Sequence, residues 1–195
     1  MTKKEEWLAG ARSAVPIMLG YVPVGIAYGV MARQAGLSTW QTVLMSLTVY
    51  GGASEMMAAG MVAQGAAVLT IVLTTFILNL RHIIMSTCVF NQMQGGRLPV
   101  RMLAAFGVTD ETFAVYTTTA NAPRTPRYFF SMAFCAYLSW ALGSWLGAIA
   151  TGLLPPLITA ALGISLYAMF IGLLMPGLHG NGRLAALVVL TALCN

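Results

Sequence analysis

The sequence predicts an all-α integral membrane protein: one membrane domain, residues 1–195, formed by a polytopic bundle of about six to seven transmembrane helices, some of them discontinuous. Two observations predict this fold class. Hydrophobic residues make up 58% of the chain and charged residues only 8%, whereas soluble domains carry roughly 25% charged residues. The uncharged residues also fall in runs of the ~20 residues that a helix needs to cross a bilayer. A soluble fold would need a charged surface that the chain does not have.

The basic residues lie mainly in the connectors between the apolar runs. The net charge is +5, but the sequence has no basic patch interleaved with aromatic residues, so the charge does not indicate nucleic-acid binding. Basic residues in short connectors instead set the orientation of a membrane protein. Cys88, Cys135 and Cys194 are widely spaced within apolar runs, and we expect neither a disulfide framework nor a metal site from them.

Three spans are predicted in the N-terminal half. The first, residues 13–33, is longer than the ~7–15 apolar residues of a signal-peptide core, so we expect it to be retained as a helix. The interval that follows contains a single charged residue, Glu55, in its first 47 positions up to Leu80. It has room for two further spans, at 39–63 and 66–90.

The C-terminal half continues the pattern. A polar connector precedes a predicted span at 100–120, and a linker with two prolines precedes a span at 128–152. Two consecutive prolines separate that span from the next one, at 156–176. A final apolar run at 184–195 is too short to cross a bilayer. We therefore expect the chain to stop within a helix, as a C-terminally truncated protein does.

The orientation follows from the distribution of Lys and Arg. With seven crossings, one face of the membrane has six of these residues and the other has three, and the excess favours a cytoplasmic N-terminus in the plasma (inner) membrane. The six on the N-terminal face are Lys3, Lys4, Arg12, Arg124, Arg127 and Arg183, and the three on the other face are Arg33, Arg97 and Arg101.

Two of the spans contain residues that interrupt helices. Pro23 and Gly25 fall in the first span, and Gly51 and Gly52 fall in the middle of the second. Proline removes a backbone donor and clashes with the preceding turn, and a broken helix within a membrane needs protein or a wet cavity beside it. Transporters form substrate sites at such breaks, because a half-helix presents free N–H groups to anions. These four are structural or gating candidates, with simple packing as the alternative for the first pair.

Ionisable residues inside the predicted spans form three clusters. Each one costs about 2.5–3.5 kcal/mol at the centre of a bilayer on insertion scales, so their presence indicates a polar interior. Arg81 needs a carboxylate partner, and a structural clamp between Arg81 and Asp110 is the alternative to a substrate site. His82 and Glu55 are candidates for proton exchange, although a lone histidine such as His82 is more often a hydrogen-bonded structural group. The candidate substrate-binding and coupling residues are Ser54, Glu55, Asn79, Arg81, His82, Asp110 and Glu111.

Four stretches, in order along the chain, carry a family resemblance. They are residues 21–29 (YVPVGIAYG), 51–56 (GGASEM), 79–82 (NLRH) and 106–114 (FGVTDETFA). With these stretches the chain resembles the AzlC family, the large subunits of branched-chain amino-acid exporters, over nearly its whole length. It departs from the family at Glu55, where the family usually has glutamine.

The resemblance implies an exporter of small aliphatic, valine-like amino acids that acts with a small AzlD-like membrane subunit. The carboxylate of such a substrate needs N–H donors or Arg81, and its ammonium group needs an acceptor such as Asp110 or Glu55. We expect alternating access in which Glu55 or His82 exchanges protons. The expected partners are therefore the substrate, protons, the small subunit and the lipid bilayer, and no cofactor is expected.

Three other functions fit parts of the sequence: a channel for a small solute, a membrane scaffold subunit that does not transport, and an intramembrane serine protease. The protease would use Ser54 as nucleophile and His82 as base, which requires hydrogen-bond reach between two helices. The stretch Gly-Ala-Ser-Glu also lacks the second glycine of a GxSxG turn. We expect a transporter and not an enzyme.

Overall fold

The computed structural model describes residues 2–153 and 182–193, together with Pro155, Leu157, Ile158, Ala161, Ile164 and Ile171. All regular elements in this described part are α-helices. The span predicted at 156–176 lies outside the described residues apart from single positions. The helices are α1 (Lys3–Gln34), α2 (Thr39–Thr48), α3 (Gly52–Ala63), α4 (Val68–Asn79), α5 (Arg81–Gln92), α6 (Leu98–Phe106), α7 (Asp110–Thr118), α8 (Pro126–Ala150) and α9 (Gly182–Leu193).

Helix α1 is continuous through both of its prolines. It begins at Lys3, ahead of the predicted start at residue 13, because Thr2 and Glu5 form a capping box in which each side chain bonds the other's backbone N–H. Pro23 lies inside the helix and does not interrupt it. The expectation that Pro23 and Gly25 mark a break is therefore wrong for this helix.

Helices α1 and α8 run parallel and pack closely along glycines. Ser131 donates to the carbonyl of Trp7 at 2.6 Å near the start of both helices, and a Cβ placed on Gly25 would lie 3.2 Å from the Cα of Gly143 further along. Gly147 lies so close to the backbone of Ile26 that a Cβ has no room. Small residues let membrane helices approach closely, so Gly25 belongs to a packing seam.

Helices α2 and α3 form a hairpin, hairpin 1 (residues 39–63), where the sequence predicts one crossing helix. Helix α2 starts at Thr39 after the N-cap Ser38, whose side chain accepts from the N–H of Gln41, and residues 49–51 separate it from α3. Met45 of α2 and Ala58 of α3 line the same groove, which requires the chain to double back. The ten residues of α2 cover about 15 Å, roughly half of a ~30 Å hydrocarbon core.

Helices α6 and α7 form hairpin 2 (residues 98–118), which replaces the predicted crossing helix at 100–120. Helix α6 runs alongside α8, and the rings of Phe106 and Tyr137 have centroids 5.7 Å apart. Residues 107–109 turn the chain, and α7 returns until Tyr116 meets Phe129 near the start of α8, at 5.3 Å. Both ends of hairpin 2 therefore lie at the same face of the bundle.

Helices α4 and α5 form one apolar segment, Val68–Gln92, interrupted by a tighter turn in which the N–H of Leu80 bonds the carbonyl of Ile77. Its end joins the start of α8 through the N–H of Gln94 and the carbonyl of Arg124, 2.6 Å apart. Among the described residues, three segments are long and apolar enough to cross a membrane: Lys3–Gln34, Val68–Gln92 and Pro126–Ala150.

The two hairpins enter from opposite faces. Hairpin 1 follows the end of α1, whereas hairpin 2 lies at the face that contains the N-terminus, here called the N-terminal face. Arg97 and Arg101 therefore lie at the same face as Lys3 and Arg127. Arg101 donates to the carbonyl of Gly95, in the connector that lies beside Pro126 at the start of α8. The seven-crossing topology places Arg97 and Arg101 on the other face, and the hairpin is the reason for the difference.

Candidate functional site

The helix breaks meet at one small cavity in the middle of the bundle. Its volume is about 20 Å³, which has room for about one water molecule. Both hairpin tips, the turn between α4 and α5, and the middles of α1 and α8 contribute to its wall. The lining residues are Tyr21, Tyr50, Gly51, Gly52, Ala53, Arg81, His82, Thr109, Asp110, Glu111 and Trp140.

The start of α3 faces this cavity. Gly51 caps the helix without a side-chain hydrogen bond, and Gly52 lies so close to Trp140 that a Cβ would be 2.9 Å from the indole ring. The first N–H groups of a helix have no acceptor within the helix, and they carry a partial positive charge. Glycine at positions 51 and 52 therefore lets Asn79 and Trp140 lie close to the start of α3, which lines the cavity.

Arg81 and Asp110 form an ion pair across the cavity, with 2.9 Å between Nη2 and Oδ2. Arg81 starts α5 and Asp110 starts α7, so the pair joins a spanning helix to hairpin 2. The two side chains are 39% and 26% exposed. Of the carboxylates that the sequence offers to Arg81, the structure pairs it with Asp110.

Glu111 is buried in a hydrogen-bond network with α1. The hydroxyl of Tyr21 donates to Oε2 of Glu111 at 2.6 Å and also lies 2.7 Å from Oγ1 of Thr109. Thr109 in turn caps α7 through a reciprocal pair with Thr112. Asp110 and Glu111 thus diverge as the helical spacing requires, one towards Arg81 and the other towards α1.

Glu55 is buried beside the tip of hairpin 1. Its Oε1 accepts from the N–H of Gly51 at 2.9 Å, and its Oε2 accepts from Nε1 of Trp140 at 3.3 Å. The residue is 1% exposed. The first bond stabilises the tip of hairpin 1, and the second attaches the tip to α8.

Three buried polar atoms near the cavity have no hydrogen-bond partner within the part of the chain that the structure describes: Tyr50 Oη, Asn79 Oδ1 and Arg81 Nε. The side-chain amide of Asn79 lies beside Gly51, and His82 lines the cavity next to Arg81. Buried polar atoms are nearly always satisfied in native proteins, so unsatisfied ones around a cavity indicate a place where a water or a polar ligand binds.

Ser54 lies away from the cavity. It is buried, and its hydroxyl donates to the carbonyl of Gly51 at 2.8 Å, one turn back on its own helix. A serine nucleophile needs a base as its partner, and Ser54 uses its proton for a local backbone bond instead. Its position therefore fits a structural role at the hairpin tip better than that of a nucleophile.

Five lining residues were not predicted as site residues from the sequence: Tyr21, Tyr50, Ala53, Thr109 and Trp140. Aromatic residues within apolar runs are also typical of ordinary packing, so composition does not distinguish them. A signal was present at Tyr50, which directly precedes Gly51, and at Thr109, which begins the pattern of a helix N-cap.

The fold and the cavity define a class: an α-helical membrane protein in which two re-entrant hairpins surround a polar cavity in the middle of the bundle. Residues 16–154 match the model of the family described as AzlC protein. The chain therefore belongs to the AzlC family, which is a family of transport proteins and not of enzymes. No solved structure matches the chain significantly.

Three curated relatives show how far the similarity extends. The chain is 32% identical to a membrane protein of Archaeoglobus fulgidus over 95% of its own length and 82% of that protein. It is 31% identical to inner membrane protein YgaZ of Escherichia coli, over 87% and 72%. It is 27% identical to branched-chain amino acid transport protein AzlC of Bacillus subtilis, over 76% and 61%.

Proposed function

We propose that this protein transports small aliphatic, branched-chain amino acids across the plasma (inner) membrane as the large subunit of an exporter. The observation that carries the proposal is the similarity to the branched-chain amino acid transport protein of Bacillus subtilis, in a chain whose broken helices meet at one polar cavity. Discontinuous helices that meet near the midplane are a common form of transporter substrate site.

The cavity has two walls of opposite electrostatic character, which suits a zwitterion. One wall is formed by the start of α3 and by Arg81, which offer N–H donors and positive charge to a carboxylate. The other wall carries Asp110 and Glu111, which offer acceptors to an ammonium group. An amino acid thus has a binding partner for each end, and Asn79 Oδ1 is a further acceptor near Gly51.

The cavity has room for about one water molecule, so the passage of an amino acid needs movement, and the hairpins are the elements that we propose to move. Hairpin 1 ends at one face and hairpin 2 at the other, and their tips meet where Tyr50 stacks on Phe106 with centroids 5.9 Å apart. Displacement of hairpin 1 would open the cavity to one side, and displacement of hairpin 2 would open it to the other. Alternating access then consists of moving one hairpin while the other remains closed.

The orientation and the coupling are also part of the proposal. With hairpin 2 re-entrant, residues 2–153 place seven basic residues on the N-terminal face and one, Arg33, on the opposite face, which favours a cytoplasmic N-terminus. The seven are Lys3, Lys4, Arg12, Arg97, Arg101, Arg124 and Arg127. Glu55 and His82 remain the candidates for proton exchange, and a small AzlD-like subunit remains the expected partner.

The decisive experiment is counterflow in proteoliposomes. The purified protein, alone and together with an AzlD-like subunit, is loaded with unlabelled valine and assayed for uptake of labelled valine, leucine and isoleucine. Saturable uptake of these amino acids is expected. Glutamate and lysine should not compete, because each carries a charged side chain in addition to its carboxylate and ammonium group, and burial of that third charge is unfavourable. Absence of any amino-acid uptake in both preparations would overturn the proposal. Proton coupling needs a second assay, net efflux of labelled valine with and without an imposed pH gradient, and a rate that is equal in both would remove the proton component alone.

A further inference from the structure

Tyr50 separates the polar cavity from an apolar groove. It lines the cavity on one side, and on the other side it lines a groove of about 270 Å³ between hairpin 2 and α8. The cavity itself has room for about one water, so a valine bound there needs additional space for its side chain. Tyr50 is the lining residue that the cavity and this groove share.

The groove has the chemistry of an aliphatic pocket. Hairpin 2 contributes one wall and α8 the other, and the lining is almost entirely apolar. The residues that form it with Tyr50 are Leu103, Ala104, Phe106, Gly107, Phe130, Ala133, Phe134 and Tyr137. Small-molecule sites are typically apolar pockets with a few polar groups that fix the orientation of the ligand, and here the polar groups lie immediately behind Tyr50.

Tyr50 combines a strained backbone with a buried hydroxyl that has no hydrogen-bond partner among the described residues. Its φ is +47°, a region that costs an L-residue energy. Its ring contacts Phe106 and Tyr137, at 5.9 Å and 4.9 Å between centroids. Strained residues of this kind concentrate at switch regions and ligand sites.

We propose that Tyr50 is the movable wall of the substrate site, and that the groove behind it receives the aliphatic side chain of the substrate and sets its size limit. The inference rests on the proposed function. When Tyr50 moves aside, the charged ends of the amino acid remain in the polar cavity and the branched chain enters the groove. Ala133, which is buried in the groove wall, then determines how large a side chain fits.

The test compares two buried alanines in two different grooves. Ala133 is 5% exposed in the groove behind Tyr50, and Ala58 is 4% exposed in a second apolar groove, of about 320 Å³, between hairpin 1 and α4. Ala133→Leu fills the first groove and Ala58→Leu fills the second. Counterflow of labelled alanine, valine, leucine and phenylalanine is measured for both variants, for Ala133→Gly and for the wild type, after each has been shown monodisperse by size-exclusion chromatography.

The expected result is a change in selectivity confined to position 133. Ala133→Leu should lower the rate of leucine relative to alanine by about tenfold or more, the scale of a few methylene groups. Ala133→Gly should raise phenylalanine relative to valine, and Ala58→Leu should leave the ratios unchanged.

Other results separate the inference from the proposed function. If the wild type transports amino acids and both variants of Ala133 keep its selectivity ratios, the inference is overturned. That result is expected if a lipid acyl chain, and not the substrate, occupies the groove. A change in the ratios at Ala58 alone would assign the subsite to the other groove, which also overturns the inference. No amino-acid flux in the wild type would instead overturn the proposed function. If Ala133→Leu does not fold, Ala133→Gly decides.

Discussion

Arg81 on α5 and Asp110 on α7 form an ion pair of 2.9 Å that joins the middle of a membrane-spanning segment to the tip of hairpin 2. The pair lies on the wall of the central cavity. On the proposed function, a substrate carboxylate attracted by Arg81 and an ammonium group attracted by Asp110 would compete with this bond. The pair would then connect ligand binding with the position of the hairpin.

We expect Arg81→Ala and Asp110→Ala each to reduce valine counterflow by at least tenfold. Each variant removes a binding partner of the substrate and leaves the other charge without its counterion. The exchange Arg81→Asp with Asp110→Arg should restore the assembled protein but not the flux, since the charges then stand on the wrong walls.

The matched control is Arg127→Ala, which removes the looser 3.8 Å pair with Glu6 at the N-terminal face and should change flux less than twofold. Wild-type flux in Asp110→Ala would contradict a role for the pair.

Substitution Glu55→Gln tests the carboxylate that accepts two hydrogen bonds. A glutamine has one acceptor oxygen in place of two, so it keeps the bond from Gly51 or the bond from Trp140 but not both. We expect the variant to fold, with a cost of about 1 kcal/mol. If Glu55 exchanges protons, valine flux in the variant should no longer depend on the pH gradient.

Trp140→Phe is the control for this experiment, because it removes the indole donor and leaves the carboxyl group in place. Its flux should remain dependent on the pH gradient. A gradient dependence that is equal in Glu55→Gln and in the wild type would exclude Glu55 as the proton carrier and leave His82 as the candidate.

The class of the fold and the charged residues of the cavity could be predicted from the sequence, because both depend on the cost of polar groups in lipid. Glu55, Arg81 and Asp110 stand out in apolar runs, and the structure brings Arg81 and Asp110 together. The break at Gly51 was also predicted, since two adjacent glycines leave the helix without side-chain support there.

The hairpins could not be predicted in the same way. A run of ~20 apolar residues fits one crossing helix and two half-length helices equally well, and hydropathy contains no information about direction. The reversal depends on contacts between distant residues, such as Phe106 with Tyr137 and Tyr116 with Phe129. Tyr21 was missed for a related reason, because its hydroxyl acquires its role only when Glu111 lies within 2.6 Å.

Tyr21→Phe tests the bond between α1 and hairpin 2. The variant removes the hydrogen bonds to Glu111 and Thr109 and should lower the free energy of unfolding by about 1–2 kcal/mol. Tyr128→Phe is matched to it, because it removes a 2.8 Å bond from another buried tyrosine to Ser13, away from the cavity. We expect comparable losses in thermal stability but reduced valine affinity in Tyr21→Phe alone. Equal affinities in the two variants would show that the bond to Glu111 only stabilises the fold.

Gly147→Ala tests the seam between α1 and α8. The added Cβ meets the backbone of Ile26, which cannot move without separating the helices, so we expect a loss of about 1–3 kcal/mol. Gly60→Ala is the control, because nothing lies within 4 Å of a Cβ at that position and alanine favours the helix by about 0.5–1 kcal/mol. In thermal unfolding followed by size-exclusion chromatography, Gly147→Ala should therefore unfold at a lower temperature than the wild type, and Gly60→Ala at a higher temperature. A stabilising Gly147→Ala would show that the two helices are not closely packed in the membrane.

A disulfide between hairpin 1 and α8 tests whether that hairpin moves during transport. The hydroxyl oxygens of Ser46 and Ser144 lie 2.8 Å apart, so two sulfur atoms at these positions need little movement to form a bond of about 2.0 Å.

In a variant whose native cysteines are replaced by alanine, oxidation of Ser46→Cys with Ser144→Cys should stop valine counterflow, and reduction should restore it. Each single cysteine variant should keep its flux under oxidation. The physical reason is that the bond joins α2 to α8, which packs against α1 from Gly10 to Gly29, so hairpin 1 can no longer leave the cavity. Full counterflow in a preparation whose disulfide is complete by mass spectrometry would mean that hairpin 1 stays fixed during transport.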